Sequence, residues 1–140
     1  MLNISAVVIF INVLRAMHRA PPLIPTQKLN YIAGNWSTYM ARSGRFDHSF
    51  SPYGENIAQV GSPDNHTQAA ILAVKMAYAE SAYWNKSNPT VGVGHFTQLV
   101  WFSSRYVGIG VANNSRRRTY VTFEFDPPGN VLGYYAYNVF

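Results

Sequence analysis

The sequence predicts an α+β domain in which helices cover an antiparallel β-sheet. The first half of the chain repeats apolar residues at the three- and four-residue spacing of helices. The second half alternates large apolar residues with small or polar ones. Within that second half, Gly108 and Gly110 lie two residues apart in one strand, which indicates that another element packs closely against their face. We therefore expect three helices followed by three strands.

Spacing and caps predict the three helices. In the first, an apolar stripe faces the core, and Arg15 and His18 are expected to lie off it. Thr26 caps the second helix, which ends at Gly44, and Asn65 caps the third. The apolar stripes are, in order, Ala6, Ile9, Phe10, Val13, Leu14 and Met17; Leu29, Ile32, Ala33, Trp36 and Met40; and Ala69, Leu72, Ala73, Met76, Glu80, Tyr83 and Trp84.

Alternation predicts three strands at His95–Trp101, Tyr106–Val111 and Thr119–Phe125. The last two strands are joined as a hairpin through Asn113–Arg118. The stretch Arg45–Pro63 has no sustained period and is interrupted by glycine and proline, so a long loop is expected there. Loops of that length in small domains commonly carry function.

Composition limits the domain count and the class of partner. The chain has 140 residues and is 48% hydrophobic, so a single domain spanning residues 1–140 is expected. The absence of cysteine excludes a disulfide framework, a thiolate metal site and a cysteine nucleophile. The formal net charge of +5 favours acidic partners. Only 12% of the residues are charged, which argues against nucleic acid as the partner.

Four titratable side chains lie where no ordinary surface pattern places them. His48 and Glu55 are in the long loop, Glu80 is on the stripe of the third helix, and His95 opens a strand. The neutral imidazoles of His48 and His95 suit a divalent ion such as zinc, with the two glutamates orienting the rings or a bound water. Each residue also has an ordinary explanation, since a lone histidine is commonly a satisfied core or turn residue and Glu80 can reach water at the rim of its stripe.

The segment Gly94–Trp101, GHFTQLVW, is similar to the signature of the CAP superfamily of cysteine-rich secretory proteins, antigen 5 and plant pathogenesis-related proteins. Four further stretches agree with that family in the same order: His18–Leu23, His48–Ser49 followed by Tyr53–Ile57, Ala77–Glu80 and Asp126–Val131. The resemblance implies a three-layer α-β-α sandwich with a central antiparallel sheet. It also implies a cleft that holds two histidines and two acidic residues, which fall here on His48, Glu55, Glu80 and His95.

The chain departs from the family pattern at two places. The first-helix motif His-Asn-x-x-Arg begins here with Ile11, so altered packing is expected around it. The family's usual cysteine pair falls on Ile109 and Phe123, which are expected to pack where the bridge would lie. The cysteine-free pattern is similar to the Golgi-associated pathogenesis-related branch, whose members act at membranes.

The resemblance implies a non-catalytic binding protein for lipid, sterol or an anionic membrane surface, because several members bind such ligands and several hold zinc or another divalent ion. Arg116, Arg117 and Arg118 are expected to contact anionic headgroups, with a solvated hairpin tip as the ordinary alternative. Two other functions stay open. One is a metal-dependent hydrolase, a protease or esterase, that uses the same cleft, and the other is a secreted immune-modulating or defence-related interaction domain.

Location and assembly also stay open at this point. The family favours the extracellular or secretory pathway, whereas the cysteine-free branch favours a cytosolic protein peripheral on Golgi or other membranes. Residues 1–10 suit either a trimmed signal or the start of the first helix. A homodimer and an unidentified protein partner are further alternatives. Five Asn-x-Ser/Thr sequons would accept glycans in the secretory pathway: Asn3, Asn35, Asn65, Asn85 and Asn113.

Overall fold

A computed structural model describes residues 1–61 and 65–140. The helices are α1 (Ile4–Ala16), α2 (Gln27–Ser43), α3 (His66–Ala79) and α4 (Gly94–Leu99), with short 3-10 helices at Glu80–Tyr83 and Tyr135–Tyr137. The strands are β1 (Ile24–Pro25), β2 (Gly54–Val60), β3 (Tyr106–Asn113) and β4 (Thr119–Asp126). They form one sheet in the order β1-β3-β4-β2, antiparallel except where the two-residue β1 runs parallel to β3. The predicted α+β class is confirmed.

The sheet separates two layers of helices. Ile109 of β3 lies in the main core with residues of α1, α3 and α4, whereas Gly108 and Gly110 face α2. A Cβ atom at Gly108 would come within 2.0 Å of the backbone carbon of Leu29, and one at Gly110 within 2.3 Å of that of Ala33. The close approach predicted from the two glycines is therefore confirmed, and the three layers follow from it.

The hairpin of β3 and β4 is confirmed. Ile109 and Phe123 face each other directly across the two strands, and both are buried in the main core. They pack where the family resemblance places a cysteine pair. In the connecting turn, the side-chain oxygen of Asn114 accepts hydrogen bonds from the backbone N–H groups of Arg116 (3.0 Å) and Arg118 (3.1 Å).

The predicted helix caps are confirmed. The Thr26 hydroxyl accepts a hydrogen bond from the backbone N–H of Leu29 at 3.1 Å, and α2 ends at Gly44 in the left-handed conformation (φ 73°). At α3, the side chain of Asn65 accepts from the N–H of Gln68 at 2.8 Å. These local signals depend on neighbouring residues only, which is why the sequence carries them.

The strand predicted at His95–Trp101 is wrong, because its first part forms α4. All residues in Phe96–Leu99 are buried, so their alternation marks no difference between a core face and a solvent face. The carboxylate of Glu80 accepts the backbone N–H groups of His95 (2.9 Å) and Phe96 (3.1 Å). It thus satisfies amides that a helix leaves unpaired at its first turn. A contact made fifteen residues along the chain stabilises the helix.

The long loop predicted at Arg45–Pro63 is wrong over Gly54–Val60, which is strand β2. Its residues are covered on both faces, since Ile57 packs on the α2 side and Ala58 in the main core. A strand buried on both sides shows no alternation. Residues 62–63, at the end of the predicted loop, lie outside the described part of the chain. Because β2 lies between α2 and α3, the expected order of three helices followed by three strands is also wrong.

The predicted inner face of the first helix is only partly confirmed, because Leu14 is buried and Phe10 packs against the core but other positions of the stripe are exposed. Arg15 is fully buried, whereas Ile9, Val13 and Met17 are each more than half exposed. Burial lowers the pKa of Arg15 to about 10, so it stays charged at neutral pH. Its guanidinium donates hydrogen bonds of 2.9–3.0 Å to four backbone carbonyls, those of Pro21, Leu99, Trp101 and Ser104. A buried charge is tolerated when it is hydrogen-bonded in this way. The hydrogen bonds of Arg15 therefore set which face of α1 points into the core.

The face of α3 is only partly as predicted. Ala69 and Ala73 are buried, but Leu72 (41% exposed) and Met76 (46% exposed) are not. The sheet therefore meets the small side chains of α3. Met76 is left beside a cleft.

Candidate binding cleft

A cleft of about 470 Å³ opens along the β2 edge of the sheet. Its walls come from the segment before β2, from β2 itself, from α3 and the 3-10 helix that follows it, from the start of α4 and from β4. Most of the wall side chains are apolar, and the lining residues are Phe46, Asp47, His48, Asn56, Ile57, Ala58, Gln59, Ala73, Met76, Ala77, Glu80, His95 and Phe123. The small alanines of α3 leave room for the cleft, since longer side chains there would fill it.

His48 stands on the segment between α2 and β2, and Glu55 of β2 holds it. The ring atom Nδ1 lies 2.9 Å from Oε1 of Glu55. The same oxygen accepts the backbone N–H of Ser49 at 2.8 Å, and the Ser49 hydroxyl donates to the other carboxylate oxygen. The side chain of His48 is 62% exposed, against 6% for Glu55. The carboxylate is thus a buried anchor for a ring at the surface.

His95 stands at the start of α4, and Glu80 holds it in the same way. Its Nδ1 lies 2.8 Å from Oε2 of Glu80, and the other oxygen of that carboxylate accepts the two backbone N–H groups at the start of α4. The side-chain amide of Asn56 donates to the backbone carbonyl of His95 at 3.0 Å. This contact ties α4 to β2 across the cleft.

The two pairs present the same chemical group. An ionised carboxylate accepts hydrogen bonds only, so Nδ1 of His48 and of His95 carries the proton in each pair. In each neutral ring, Nε2 is then the acceptor and the potential metal ligand. Neither Nε2 has a hydrogen-bond partner among residues 1–61 and 65–140. This is the carboxylate–histidine arrangement that orients imidazoles toward a ligand.

The structure therefore assembles the predicted tetrad as two His–Glu pairs. His48, Glu80 and His95 line the cleft, and Glu55 lies behind His48. Within the described part of the chain, no three His, Asp or Glu side chains converge as a metal site of three protein ligands requires.

The three consecutive arginines lie apart from the cleft. Arg116, Arg117 and Arg118 are exposed on the turn between β3 and β4, and none of them lines the cleft. The structure thus separates the two groups of residues that the sequence singles out, the His–Glu tetrad and the arginine run.

Glu124 is a third carboxyl at the site, and it is not among the residues predicted from the sequence. It lies on β4 directly opposite Glu55 of β2 and is fully buried. The Ser51 hydroxyl donates to its Oε1 at 2.6 Å. Its position in β4 is the sequence signal for its burial. Glu124 follows Tyr120 and Thr122 at two-residue spacing, so the three side chains share one face of the strand, and that face is buried.

The two neighbouring carboxyls have opposite pKa shifts. Burial, together with the hydrogen bond and the charge of Glu55, raises the pKa of Glu124 to about 9. Burial would also raise the pKa of Glu55, but hydrogen bonds from Glu124, Ser49 and His48 outweigh it and hold that pKa below its usual value. At neutral pH, Glu124 is therefore the neutral acid and Glu55 is the carboxylate.

The chain is similar in sequence to a known protein family. Residues 8–125 match the family model described as CAP, the cysteine-rich secretory protein family. The chain belongs to this family. Pathogenesis-related protein 1B of Nicotiana tabacum is 35% identical over 130 residues, covering 90% of this chain and 76% of that relative. Golgi-associated plant pathogenesis-related protein 1 of Homo sapiens is 31% identical over 136 residues, covering 91% of this chain and 86% of that relative.

Solved structures share the CAP-family fold. The structure of BmVAL-1 has a TM-score of 0.75 at 24% identity and covers 91% of this chain and 78% of its own, which bears on the fold alone. The crystal structure of NaASP2 with Zn²⁺ has a TM-score of 0.67 at 25% identity, covering 81% of this chain and 64% of its own. In the described ranges of this CAP-family chain, no helix has the length and apolar character needed to cross a membrane.

Proposed function

We propose that this CAP-family domain is a non-catalytic binding module whose cleft takes a lipid or sterol. The observation that carries the proposal is the pairing of an apolar wall with two oriented imidazoles. Phe46, Ile57 and Phe123 offer contacts for the body of an amphiphile, and the Nε2 atoms of His48 and His95 offer contacts for its polar head.

The contacts of the Ser49 hydroxyl support binding over hydrolysis. The Ser49 hydroxyl donates its hydrogen bond to Glu55, and Glu55 also takes Nδ1 of His48. A serine nucleophile needs its hydroxyl to donate to the base that activates it. The serine and the histidine here share one acceptor instead.

Filling the cleft tests the lipid proposal. Met76→Trp places a larger side chain on the cleft wall, and we expect the affinity for a fluorescent sterol or fatty acid to fall about tenfold or more. Leu72→Trp is the matched control, because Leu72 is similarly exposed one turn earlier on α3 but does not line the cleft. Equal affinities for the two variants and the unaltered protein would contradict the proposal.

A divalent ion, zinc foremost, is the cofactor that the cleft suits. His48 and His95 would hold it through their Nε2 atoms, and Glu55 and Glu80 already fix both rings through Nδ1. The relative NaASP2 has been crystallised with Zn²⁺. Because the described residues supply two nitrogen donors and no third protein ligand, the ion would keep open positions. Bound there, it would supply positive charge for an anionic head group.

Calorimetric titration with zinc tests this part. We expect one ion per chain, and we expect binding to be lost in His48→Ala and in His95→Ala. His66→Ala is the control, because His66 lies outside the cleft and its Nε2 is hydrogen-bonded to Asn113 at 2.9 Å. Stoichiometric zinc that survives both cleft substitutions would remove the ion from the proposal.

The anionic-surface proposal concerns the turn between β3 and β4. Arg116 and Arg118 are exposed there, and each well-placed cation contributes about 1 kcal/mol at an anionic membrane surface. Flotation with anionic and neutral vesicles, repeated with Arg116→Ser and Arg118→Ser combined, tests it. Equal flotation on both vesicle types would contradict the electrostatic part.

An extracellular or secretory-pathway location is proposed, with peripheral attachment to Golgi or other membranes as the alternative. All five sequon asparagines are exposed, so each is accessible to glycan transfer. Mass spectrometry of the native protein distinguishes the two locations. A glycan at any sequon supports the secretory pathway, and a native protein without glycans contradicts it.

A further inference from the structure

Glu124 is a fully buried carboxyl in the middle of the domain. Its strand, β4, is paired on both sides, with β3 and with β2. Taking an ionised carboxylate out of water is expensive unless several donors surround it. The donor that reaches Glu124 is the Ser51 hydroxyl, which binds Oε1.

The second oxygen of Glu124 locates the missing proton. Oε2 is enclosed and receives no hydrogen bond from any donor in the described residues. The group across the strand pair is the carboxylate of Glu55, which can only accept while it is ionised. A proton on Oε2 of Glu124 resolves both facts, since Oε2–H then donates to Glu55.

The other contacts of the pair decide which carboxyl keeps the proton. Glu55 accepts three hydrogen bonds, from Nδ1 of His48 and from the backbone N–H and the hydroxyl of Ser49. These three donors favour the ionised form of Glu55. Among the described residues, Glu124 accepts a hydrogen bond only from the Ser51 hydroxyl, so Glu124 takes the neutral form.

We propose that Glu124 is a positioning residue of the cleft, a neutral acid that donates a hydrogen bond to Glu55 and thereby fixes the segment that carries His48. The inference rests on the proposed function only for its effect on ligand binding. The arrangement itself belongs to the free protein.

The segment that carries His48 depends on these contacts because it has no regular structure between α2 and β2. Ser49 binds Glu55 and Ser51 binds Glu124, so two hydroxyls tie the segment to two adjacent strands. A further tie comes from Trp36, whose Nε1–H donates to the backbone carbonyl of Asp47 at 2.9 Å. The pair of carboxyls therefore anchors most of this cleft wall.

Of the charged groups around Glu124, Glu55 is the one that affects its protonation state. Within residues 1–61 and 65–140, Glu55 is the charged group whose field shifts Glu124. On α2, the charged group is Lys28, which interacts with Tyr53 and Asp126. Its ammonium lies 5.7 Å from the ring centre of Tyr53, and these two residues raise the pKa of Lys28. On β3, the residue opposite Glu124 is Gly108, which has no side chain to titrate.

NMR of the ligand-free protein tests the inference. Carbon-13 spectra of the glutamate carboxyls should show Glu124 un-ionised at pH 7 and ionising near pH 9. Nitrogen-15 spectra of His48 should show the proton on Nδ1 at pH 7.5. Glu124→Gln keeps a neutral donor and should preserve the His48 signature up to pH 10, whereas the unaltered protein should lose it as Glu124 ionises.

Glu124→Leu removes the donor and should mix the two His48 tautomers. Zinc affinity should fall about tenfold, the size seen for lost outer-shell partners of metal-binding histidines. Thr122→Val is the control, because Thr122 is buried on the same face of β4 and its hydroxyl bonds to Ser37 instead. It should leave His48 unchanged.

Two results would overturn the inference. One is a Glu124 carboxyl that is ionised at pH 7, which needs no variant and so does not depend on Glu124→Leu folding. The other is an unchanged His48 signature in folded Glu124→Leu. A protein that binds neither zinc nor lipid but keeps the Glu124 and His48 signatures would overturn the proposed function and leave this inference standing.

Discussion

The two His–Glu pairs of the cleft present the same atom to a ligand but are held by different parts of the fold. Glu80 both binds the ring of His95 and caps α4, since its carboxylate accepts hydrogen bonds from two backbone amides as well as from the ring. Glu55 grips His48 through side chains and one amide of an irregular segment, and a buried acid lies behind it. The His95 pair is thus supported by the N-terminus of a helix, whereas the His48 pair is supported by the protonated carboxyl of Glu124.

This difference matters because the two pairs respond to different changes. A backbone amide does not titrate between neutrality and pH 9, so the two amides that bind Glu80 stay donors over that range. The support of His48 includes the neutral acid Glu124, which loses its proton in that range. The cleft therefore combines a fixed wall with one that can be loosened.

The largest expected effect is the dependence of folding stability on pH. The folded pKa of Glu124 is about 9, well above the value of about 4.3 for an unfolded glutamate. The folded state thus binds the extra proton, and its contribution to stability is full below pH 4.3 and is lost as pH rises through 9. Between these values the free energy of unfolding should fall by about 1.4 kcal/mol per pH unit on account of Glu124 alone.

Urea unfolding of the unaltered protein and Glu124→Gln at pH 5.5, 7 and 8.5 measures this slope. Glu124→Gln removes only this carboxyl, so the difference between the two slopes isolates the contribution of Glu124. The depressed pKa of Glu55 acts in the opposite sense and only below pH 4.3, outside this window. Equal slopes for the two proteins would show that the His48 pair has no protonated support.

The second effect concerns the fixed wall. Glu80→Ala leaves two N–H groups at the start of α4 without an acceptor and frees the ring of His95. We expect the free energy of unfolding to fall by about 2 to 3 kcal/mol, because charge-assisted hydrogen bonds are the stronger ones. Glu80→Gln keeps one acceptor and should lose about half as much. Urea unfolding at constant pH measures both, and a loss below about 0.5 kcal/mol for Glu80→Ala would contradict the capping role.

The smallest effect separates the two pairs by single hydrogen bonds. Ser49→Ala removes a donor to Glu55, and Asn56→Ala removes the donor to the backbone carbonyl of His95. Each should cost about 1 kcal/mol. The nitrogen-15 signals of His48 should change only in Ser49→Ala, and those of His95 only in Asn56→Ala. A change of both rings in either variant would mean that the walls are coupled.

The features predicted correctly from the sequence have local or family-wide signals. The caps at Thr26 and Asn65 depend on residues within one turn, and the glycines 108 and 110 announce a close neighbour whatever that neighbour is. The binding role of the tetrad stays a prediction that rests on the family resemblance, because 47 positions separate His48 from His95 and spacing alone assigns them no common site.

The features that were missed are set by contacts distant in the chain. Arg15 is buried because four carbonyls surround its guanidinium, and three of them, those of Leu99, Trp101 and Ser104, come from a distant part of the chain. Strand β2 shows no alternating pattern in the sequence because both its faces are covered. Helix α4 shows no helical pattern because all its central residues are buried. Glu124 needed the register of β2 against β4 to place it beside Glu55.

An NMR titration with oleate, repeated with cholesterol, tests the binding cleft most directly. Methyl-labelled methionines and nitrogen-15-labelled histidines report from inside and outside the cleft. Met76, His48 and His95 line it, whereas Met17 is exposed directly after α1 and His66 lies at the start of α3. We expect saturable shifts of the three cleft residues, with Met17 and His66 unchanged. Shifts confined to Met17 or His66, or no shift at Met76 with either ligand, would contradict this expectation.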